Sequence, residues 1–118
     1  MGTQWDVKGS WIFPGLIDVH MHGGAGKDFM DGEQSSLEAI AEHVAQYGVA
    51  GFLPSTVTAS REKTRKAAQV VANYTSDRGA EVIGIHLEGP YINESRKGAQ
   101  FADAIRRADL DELAELSS

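Results

Sequence analysis

The stretch DVHMHGG (18–24) follows directly on the apolar run WIFPGLI. Residues 13–19 are rich in strand-forming side chains without polar alternation, which predicts a parallel strand that is buried on both faces. Side chains on a strand point to alternate sides, so His20 and His22 share one face. The two glycines end the strand and place the histidine pair at its carboxyl end, where parallel α/β folds hold their sites.

Length and composition bound the class of protein. The chain has 118 residues, of which 42% are hydrophobic and 24% charged, as in one small soluble globular domain. Asp and Glu number 17 against 11 Lys and Arg, and the net charge of −6 disfavours binding to nucleic acid. A phosphorylated small molecule remains possible, because it needs only a few local cations or helix amino ends.

The chain contains no cysteine, which limits the metal ligands and the cross-links that it can form. Any metal must be held by His, Asp or Glu, and no disulfide framework can exist. No apolar stretch approaches the roughly 20 residues of a membrane helix, and the start of the chain lacks a basic-then-apolar signal segment. These features predict a cytoplasmic protein with no membrane partner.

The chain alternates between strand and helix patterns. Residues 1–10 are a polar leading segment, and residues 23–32 hold four glycines typical of a loop. Ser35 with Glu38 predicts a capping box for a first helix that ends at Gly48.

A second strand is predicted over residues 51–56, a second helix begins after Ser60, and a third strand covers residues 81–88. Asp109 with Glu112 opens a last helix. This order predicts a parallel sheet with right-handed crossovers, either doubly wound or a (β/α)8 barrel. Because a barrel takes about 250 residues, three strands are only its first part.

The third predicted strand ends in His86-Leu87-Glu88 before Gly89-Pro90. With the first and third strands placed side by side, His20, His22 and Glu88 meet at one edge. Two imidazoles and a carboxylate suit zinc or ferrous iron. The alternative is one buried, hydrogen-bonded histidine and one surface histidine, with Glu88 as a helix cap or an ion-pair partner. His86 is interpreted as a packed residue that is hydrogen-bonded to the backbone.

Five segments carry a more specific resemblance: FPGLIDVHMHGG (13–24), DFMD (28–31), GFLPST (51–56), GIHLEGP (84–90) and KGAQ (97–100). Together they resemble the N-acetylglucosamine-6-phosphate deacetylases of the amidohydrolase superfamily, from about Gly9 to about Ile105. The resemblance implies a metal-dependent hydrolase that removes acetate from N-acetylglucosamine 6-phosphate. It also implies a (β/α)8 barrel with a small β-sandwich, assembled as a homodimer. Residues 1–10 would then end the sandwich, and residues 11–118 would form the first three βα units of the barrel.

The resemblance also implies roles for individual residues. Glu88 corresponds to the central metal ligand, while His20 and His22 correspond to a pair that completes a second metal site. One or two divalent ions, zinc or iron, are therefore expected. Ala99 and Gln100 are expected to bind substrate. The family's catalytic aspartate and two further histidine ligands would lie beyond Ser118.

Other interpretations stay open at this point. Arg96 and Lys97 either help hold the sugar phosphate or are solvated loop cations. A different metal amidohydrolase, acting on a cyclic amide, would share the DVHMH strand but commonly lacks the HLEGP segment. The chain alone is otherwise a catalytically incomplete fragment, or a binding or structural piece with unpaired sheet edges.

Overall fold

A computed structural model describes residues 2–117 of the chain. In chain order its strands and helices are β1 (Leu16–Met21), β2 (Gly23–Gly24), β3 (Lys27–Asp28), α1 (Gln34–Ala45), β4 (Val49–Pro54), α2 (Arg61–Ala72), β5 (Glu81–Val82) and α3 (Leu110–Leu116). Three short 3-10 helices cover Phe29–Asp31, Glu94–Arg96 and Ala102–Ala104. Strands β1, β4 and β5 form a parallel sheet in that order, and β2 pairs antiparallel with β3. The predicted α/β class with a parallel sheet is confirmed.

The core lies on the side of the sheet that α1 covers. Its buried hydrophobic cluster consists of Phe29, Leu37, Ile40, Ala41, Val44, Phe52, Ala67 and Ala80. Phe29 belongs to the glycine-rich stretch that was expected to be a loop. That stretch instead forms the β2–β3 hairpin and a 3-10 turn, which inserts the Phe29 ring into the core at 2% exposure.

Helix starts follow the predicted caps in two of three cases. The Ser60 hydroxyl accepts from the Lys63 N–H at 3.3 Å, and the Asp109 carboxylate accepts from the first-turn amides of α3. The predicted Ser35 cap is wrong, because α1 begins after Glu33 without a side-chain cap bond. The preceding 3-10 turn has its own capping box, and Gly32 in the left-handed conformation leads directly into α1.

The third strand is shorter than predicted. Only Glu81–Val82 pairs as a strand, and an isolated parallel bridge joins Ser55 to His86 further along. Phe52 pairs with Val82, 30 residues on, whereas Ser55 pairs with His86, 31 residues on. One extra residue therefore lies between these pairings on the third segment, and Gly84 with φ of 155° accommodates the resulting bulge.

The first strand departs from its predicted environment in two ways. β1 lies at the sheet edge with β4 between it and β5, so the first and third strands are not side by side. It is also not buried on both faces, since Leu16, Ile17 and Val19 are 57–61% exposed. Within residues 2–117 no element packs over this surface of β1, which is the physical reason for its exposure. The strand order follows from β4 pairing with both β1 and β5.

Residues 2–15 contain no helix or strand, so the predicted sandwich segment stays a prediction. Trp5 and Trp11 are 84% and 87% exposed. The radius of gyration of 17.0 Å exceeds the ~13.5 Å of a compact chain of this length, because this segment extends from the core. Among the helices described, none has the length and apolar character needed to span a bilayer.

Candidate metal centre

Three side chains converge at the carboxyl ends of the parallel strands. His20 and His22 come from β1, and Glu88 comes from the segment that follows β5. The Nε2 atoms of both histidines lie 2.9 Å from Glu88 Oε2 and 3.1 Å from each other. The structure thus brings together the three predicted ligands, although β4 separates the strands that carry them.

The orientation of the His22 ring is fixed by its other nitrogen. His22 Nδ1 lies 3.2 Å from the Ser55 carbonyl oxygen, which can only accept a hydrogen bond. Nδ1 therefore carries the proton, and in the neutral ring Nε2 presents a lone pair toward Glu88 Oε2. Two lone pairs facing each other at 2.9 Å need a proton or a cation between them. A backbone carbonyl on the far nitrogen is also the usual outer partner of a metal-binding histidine.

The spacing of the three donor atoms fits one divalent ion. Ligand atoms at about 2.0–2.1 Å around a tetrahedral zinc lie about 3.3 Å apart. Here the three separations are 2.9, 2.9 and 3.1 Å, within a few tenths of an ångström of that value. Two imidazole nitrogens and one carboxylate oxygen are a donor set that zinc and ferrous iron accept.

The Glu88 carboxylate is held from several directions. Its backbone N–H donates to the buried Thr56 hydroxyl at 3.1 Å, and Oε1 accepts from Gln100 Nε2 at 2.8 Å. Burial raises the pKa of Glu88, but hydrogen bonds from His20 and Gln100, with the charge of the imidazoles, outweigh it and hold the pKa below the ordinary value. Glu88 is therefore ionised at neutral pH.

The remaining histidines lie outside this trio. His86 is half-buried and its Nδ1 lies 2.9 Å from the Ser55 hydroxyl, so its partner is a side chain and not the predicted backbone group. Its ring centroid is 4.8 Å from that of His20. His43, on α1, packs edge-on against Tyr47, which follows the helix.

A groove of about 390 Å³ opens beside the three donors. Its lining residues are His22, Val57, Glu88, Lys97, Gly98, Ala99, Gln100 and Phe101. Both predicted substrate residues, Ala99 and Gln100, thus lie next to the candidate ligands. The Lys97 ammonium donates to the Gln100 carbonyl at 3.0 Å, so it is partly engaged within its own loop. Arg96 is exposed at the end of a 3-10 helix.

Sequence reasoning missed the contribution of β4. Ser55 and Thr56, fully buried just after this strand, supply the His22 and Glu88 partners described above. Ser55 also accepts the Met21 N–H through its hydroxyl at 3.1 Å. Small hydroxyl residues at the end of a central strand lie between the ends of the outer strands, but with the first and third strands placed side by side the sequence pattern does not indicate these residues.

Similarity to known proteins tests the resemblance to deacetylases that the sequence motifs predict. No family model matches the chain. It is 42% identical over 106 residues to N-acetylglucosamine-6-phosphate deacetylase of Vibrio furnissii, covering 88% of this chain and 27% of that protein. It is 40% identical over 107 residues to N-acetylgalactosamine-6-phosphate deacetylase of Escherichia coli O157:H7, covering 89% and 28%.

Among solved structures, N-acetylglucosamine-6-phosphate deacetylase from Thermotoga maritima matches with a TM-score of 0.75 at 35% identity, covering 86% of this chain and 28% of that one. The chain spans little more than a quarter of the length of these proteins. Over that part, the predicted resemblance is confirmed.

Proposed function

We propose that this chain is part of a metal-dependent hydrolase that converts N-acetylglucosamine 6-phosphate to glucosamine 6-phosphate and acetate. The observation that carries the proposal is the convergence of His20, His22 and Glu88 on one point. That convergence occurs in a segment 42% identical to a deacetylase. The three residues hold one or two divalent ions, zinc or iron.

The proposal extends to the architecture. The parallel strands β1, β4 and β5 with their intervening helices are the first three βα units of a (β/α)8 barrel. The exposed apolar surface of β1 supports this, because further strands would cover it. Residues 1–10 are the end of a small β-sandwich, and the complete protein is a cytoplasmic homodimer, as the resemblance implies.

Each residue has a task in this reaction. A bound divalent ion supplies Lewis-acid chemistry, polarising the amide carbonyl and making water acidic enough to react near neutral pH. Glu88 presents Oε2 as an anionic ligand, and the Ser55 carbonyl keeps the His22 lone pair aimed at the same point. Ala99, on the wall of the groove, is placed to meet the sugar with its backbone.

Proton transfer needs a group that this chain does not supply from the candidate site. Both Glu88 oxygens are engaged, Oε1 by Gln100 and Oε2 by the imidazoles. The catalytic aspartate, which would take a proton from the attacking water and pass it to the departing amine, comes, by the resemblance, from a later strand of the complete protein.

A second candidate substrate is N-acetylgalactosamine 6-phosphate, which differs in configuration at C4. It is favoured by the 40% identity to the Escherichia coli protein of that name. The groove residues contacting the acetamide would serve either sugar. A cyclic amide is the third candidate substrate.

The test measures acetate release by the full gene product from both sugar phosphates, and ring opening of a dihydropyrimidine. We expect release from N-acetylglucosamine 6-phosphate to be fastest, to stop on chelation and to return with Zn²⁺ or Fe²⁺. Simultaneous His20→Asn and His22→Asn substitution should lower the rate at least about 100-fold. His43→Asn, a matched histidine outside the site, should change it less than about twofold.

The outcomes separate the candidates. Faster release from the galactose epimer would replace the substrate while keeping the chemistry. Hydrolysis of the dihydropyrimidine alone would replace the proposed reaction. If metal-restored protein released acetate from neither sugar, the proposed function would be wrong. If the double histidine variant kept full activity, His20 and His22 would not be required metal ligands.

A further inference from the structure

Gln100 links the candidate metal ligand to the main chain after β4. Its Nε2 donates to Glu88 Oε1 at 2.8 Å, and its Oε1 accepts from the Thr58 backbone N–H at 2.6 Å. An N–H can only donate, so the amide oxygen must face Thr58 and the amide nitrogen must face Glu88. Both polar ends of the amide are thus used within the protein.

The anchor at Thr58 is rigid. Thr58 is fully buried, and Gly89, the residue after Glu88, packs directly against its side chain. The Gln100 backbone is held as well, since its N–H donates to the Lys97 carbonyl at 3.1 Å and its carbonyl accepts from Lys97 Nζ. The amide is therefore fixed at both the backbone and the side-chain end.

In this arrangement the two carboxylate oxygens of Glu88 have different partners. Oε1 is occupied by the Gln100 amide, whereas Oε2 lies at 2.9 Å from both imidazoles. A carboxylate left to itself can turn about its terminal torsion and offer both oxygens to a cation. With Oε1 held, only Oε2 is directed at the point between the histidines.

We propose that Gln100 is a positioning residue that holds Glu88 as a one-oxygen metal ligand, and not the substrate contact that its place in the KGAQ segment suggested. The inference rests on the proposed function, because it presumes a metal between His20, His22 and Glu88. Outer partners of this kind commonly change metal affinity by about 10–100-fold.

The test is a titration of the metal-free full gene product with Co²⁺ alone, followed by absorption, with acetate release measured at saturating metal. Gln100→Met keeps the length of the side chain and removes both hydrogen bonds. We expect the Co²⁺ dissociation constant to rise about 10–100-fold and the visible absorption band to shift. At saturating metal, KM for N-acetylglucosamine 6-phosphate should change less than twofold while kcat falls.

Two further variants complete the design. Gln69→Met makes the same substitution at an exposed position of α2 and should leave the dissociation constant and the spectrum unchanged. Gln100→Leu also removes both hydrogen bonds, so it should weaken Co²⁺ binding about as much as Gln100→Met. This second variant guards against a folding defect that is specific to the methionine.

Each outcome distinguishes a positioning role of Gln100 from a role as a substrate contact or tests the metal site on which both depend. A raised KM with unchanged Co²⁺ affinity and spectrum would make Gln100 a substrate contact and overturn the inference. Wild-type affinity in Gln100→Leu would overturn it too. Wild-type protein that binds no Co²⁺ would remove the metal site and the inference together. Wild-type protein that binds Co²⁺ yet releases no acetate would remove only the proposed reaction, and the dissociation constants would still judge Gln100.

Discussion

Two carboxylates of this chain, Glu88 and Glu112, are both held ionised, but by different kinds of partner. Glu112 is 1% exposed and receives a two-pronged interaction from Arg106, whose Nε lies 3.0 Å from Oε2 and whose Nη2 contacts Oε1. That guanidinium keeps the pKa of Glu112 below its ordinary value. The Glu88 side chain is 32% exposed, and its partners are two imidazoles and an amide.

The two carboxylates differ in whether their partner carries a permanent positive charge. Arg106 is a permanent cation, so Glu112 is neutralised and completes a structural contact between the loop before α3 and the helix itself. Among the residues described, no lysine or arginine forms an ion pair with Glu88. A carboxylate without a permanently charged partner retains its attraction for a cation from solution.

The two sites share one anchor. The Thr58 N–H donates to Gln100 on the Glu88 side, and the next carbonyl, of Ala59, accepts from Arg106 Nη1 at 2.8 Å on the Glu112 side. The segment after β4 thus holds both carboxylates. The Glu112 pair fixes the loop that carries Gln100 to this segment, which connects a structural ion pair to the candidate site.

The largest effect should follow from removing the cation at Glu112. Arg106→Met leaves a buried carboxylate without its partner, which typically lowers the free energy of unfolding by about 3–5 kcal/mol. Urea unfolding of the metal-free full gene product measures it. Arg107→Met, at an exposed neighbouring position, is the control and should change stability by less than about 0.5 kcal/mol. Equal losses in the two variants would mean that the buried pair contributes nothing special.

A smaller effect is expected at Glu88, and it should depend on a cation added from solution instead of one supplied by the protein. Zn²⁺ at about 100 times its dissociation constant should stabilise the protein by about 2.7 kcal/mol, and chelation should remove that gain. Glu88→Gln should abolish the Zn²⁺-dependent rise in melting temperature, because an anionic ligand is lost. Glu81→Gln, at the exposed first residue of β5, should keep it. A Zn²⁺ response that survives in Glu88→Gln would show that the metal binds elsewhere.

The contribution of the Glu112–Arg106 pair to stability should depend on pH. The pKa of folded Glu112 lies below its ordinary value of 4.5, so its contribution is present above that pH and is lost as the pH falls through the folded pKa. The stability difference between wild type and Glu112→Gln should therefore stay constant from neutral pH down to the ordinary pKa of 4.5 and shrink as the pH falls below that value. Melting temperatures of the metal-free proteins across this range measure it, and a difference that stays constant below the ordinary pKa as well would contradict the assignment.

The sequence predicted the candidate ligands because the rule involved is local. Alternation along β1 places His20 and His22 on one face, and the end of a parallel strand places them at the sheet edge. Glu88 followed from the same reasoning. The burial of β1 could not be predicted in this way, since an apolar run shows only that a strand is suited to burial. What covers it depends on elements outside the run.

The contacts that orient the site were also beyond pattern reasoning. Glu112 fits a capping box on sequence, yet its carboxylate bonds Arg106, which lies only six residues earlier but in a loop of irregular conformation. Gln100 was placed near substrate by its motif, whereas its amide orientation follows from the buried N–H of Thr58. Such bonds depend on loop paths, and loops carry no hydrophobic period from which a path can be predicted.

The smallest expected effect concerns the shared anchor. The Thr58 hydroxyl is buried without a hydrogen-bond partner among the described residues, close against Gly89. Thr58→Val keeps the shape and the backbone N–H to Gln100 while removing that polar atom, so stability should stay level or rise by up to about 1 kcal/mol. Thr64→Val is the matched control and should lower stability by about 1 kcal/mol, because the Thr64 hydroxyl donates to the Ser60 carbonyl.

Melting temperatures and Co²⁺ affinities of both variants measure this contrast. If the Thr58 hydroxyl is truly unpaired, Thr58→Val leaves metal affinity unchanged, since the link to Gln100 runs through the backbone. A loss of stability equal to that of Thr64→Val would instead mean that the hydroxyl has a partner from solution. The anchor between the two carboxylates would then include a polar contact besides the Thr58 N–H and the Ala59 carbonyl.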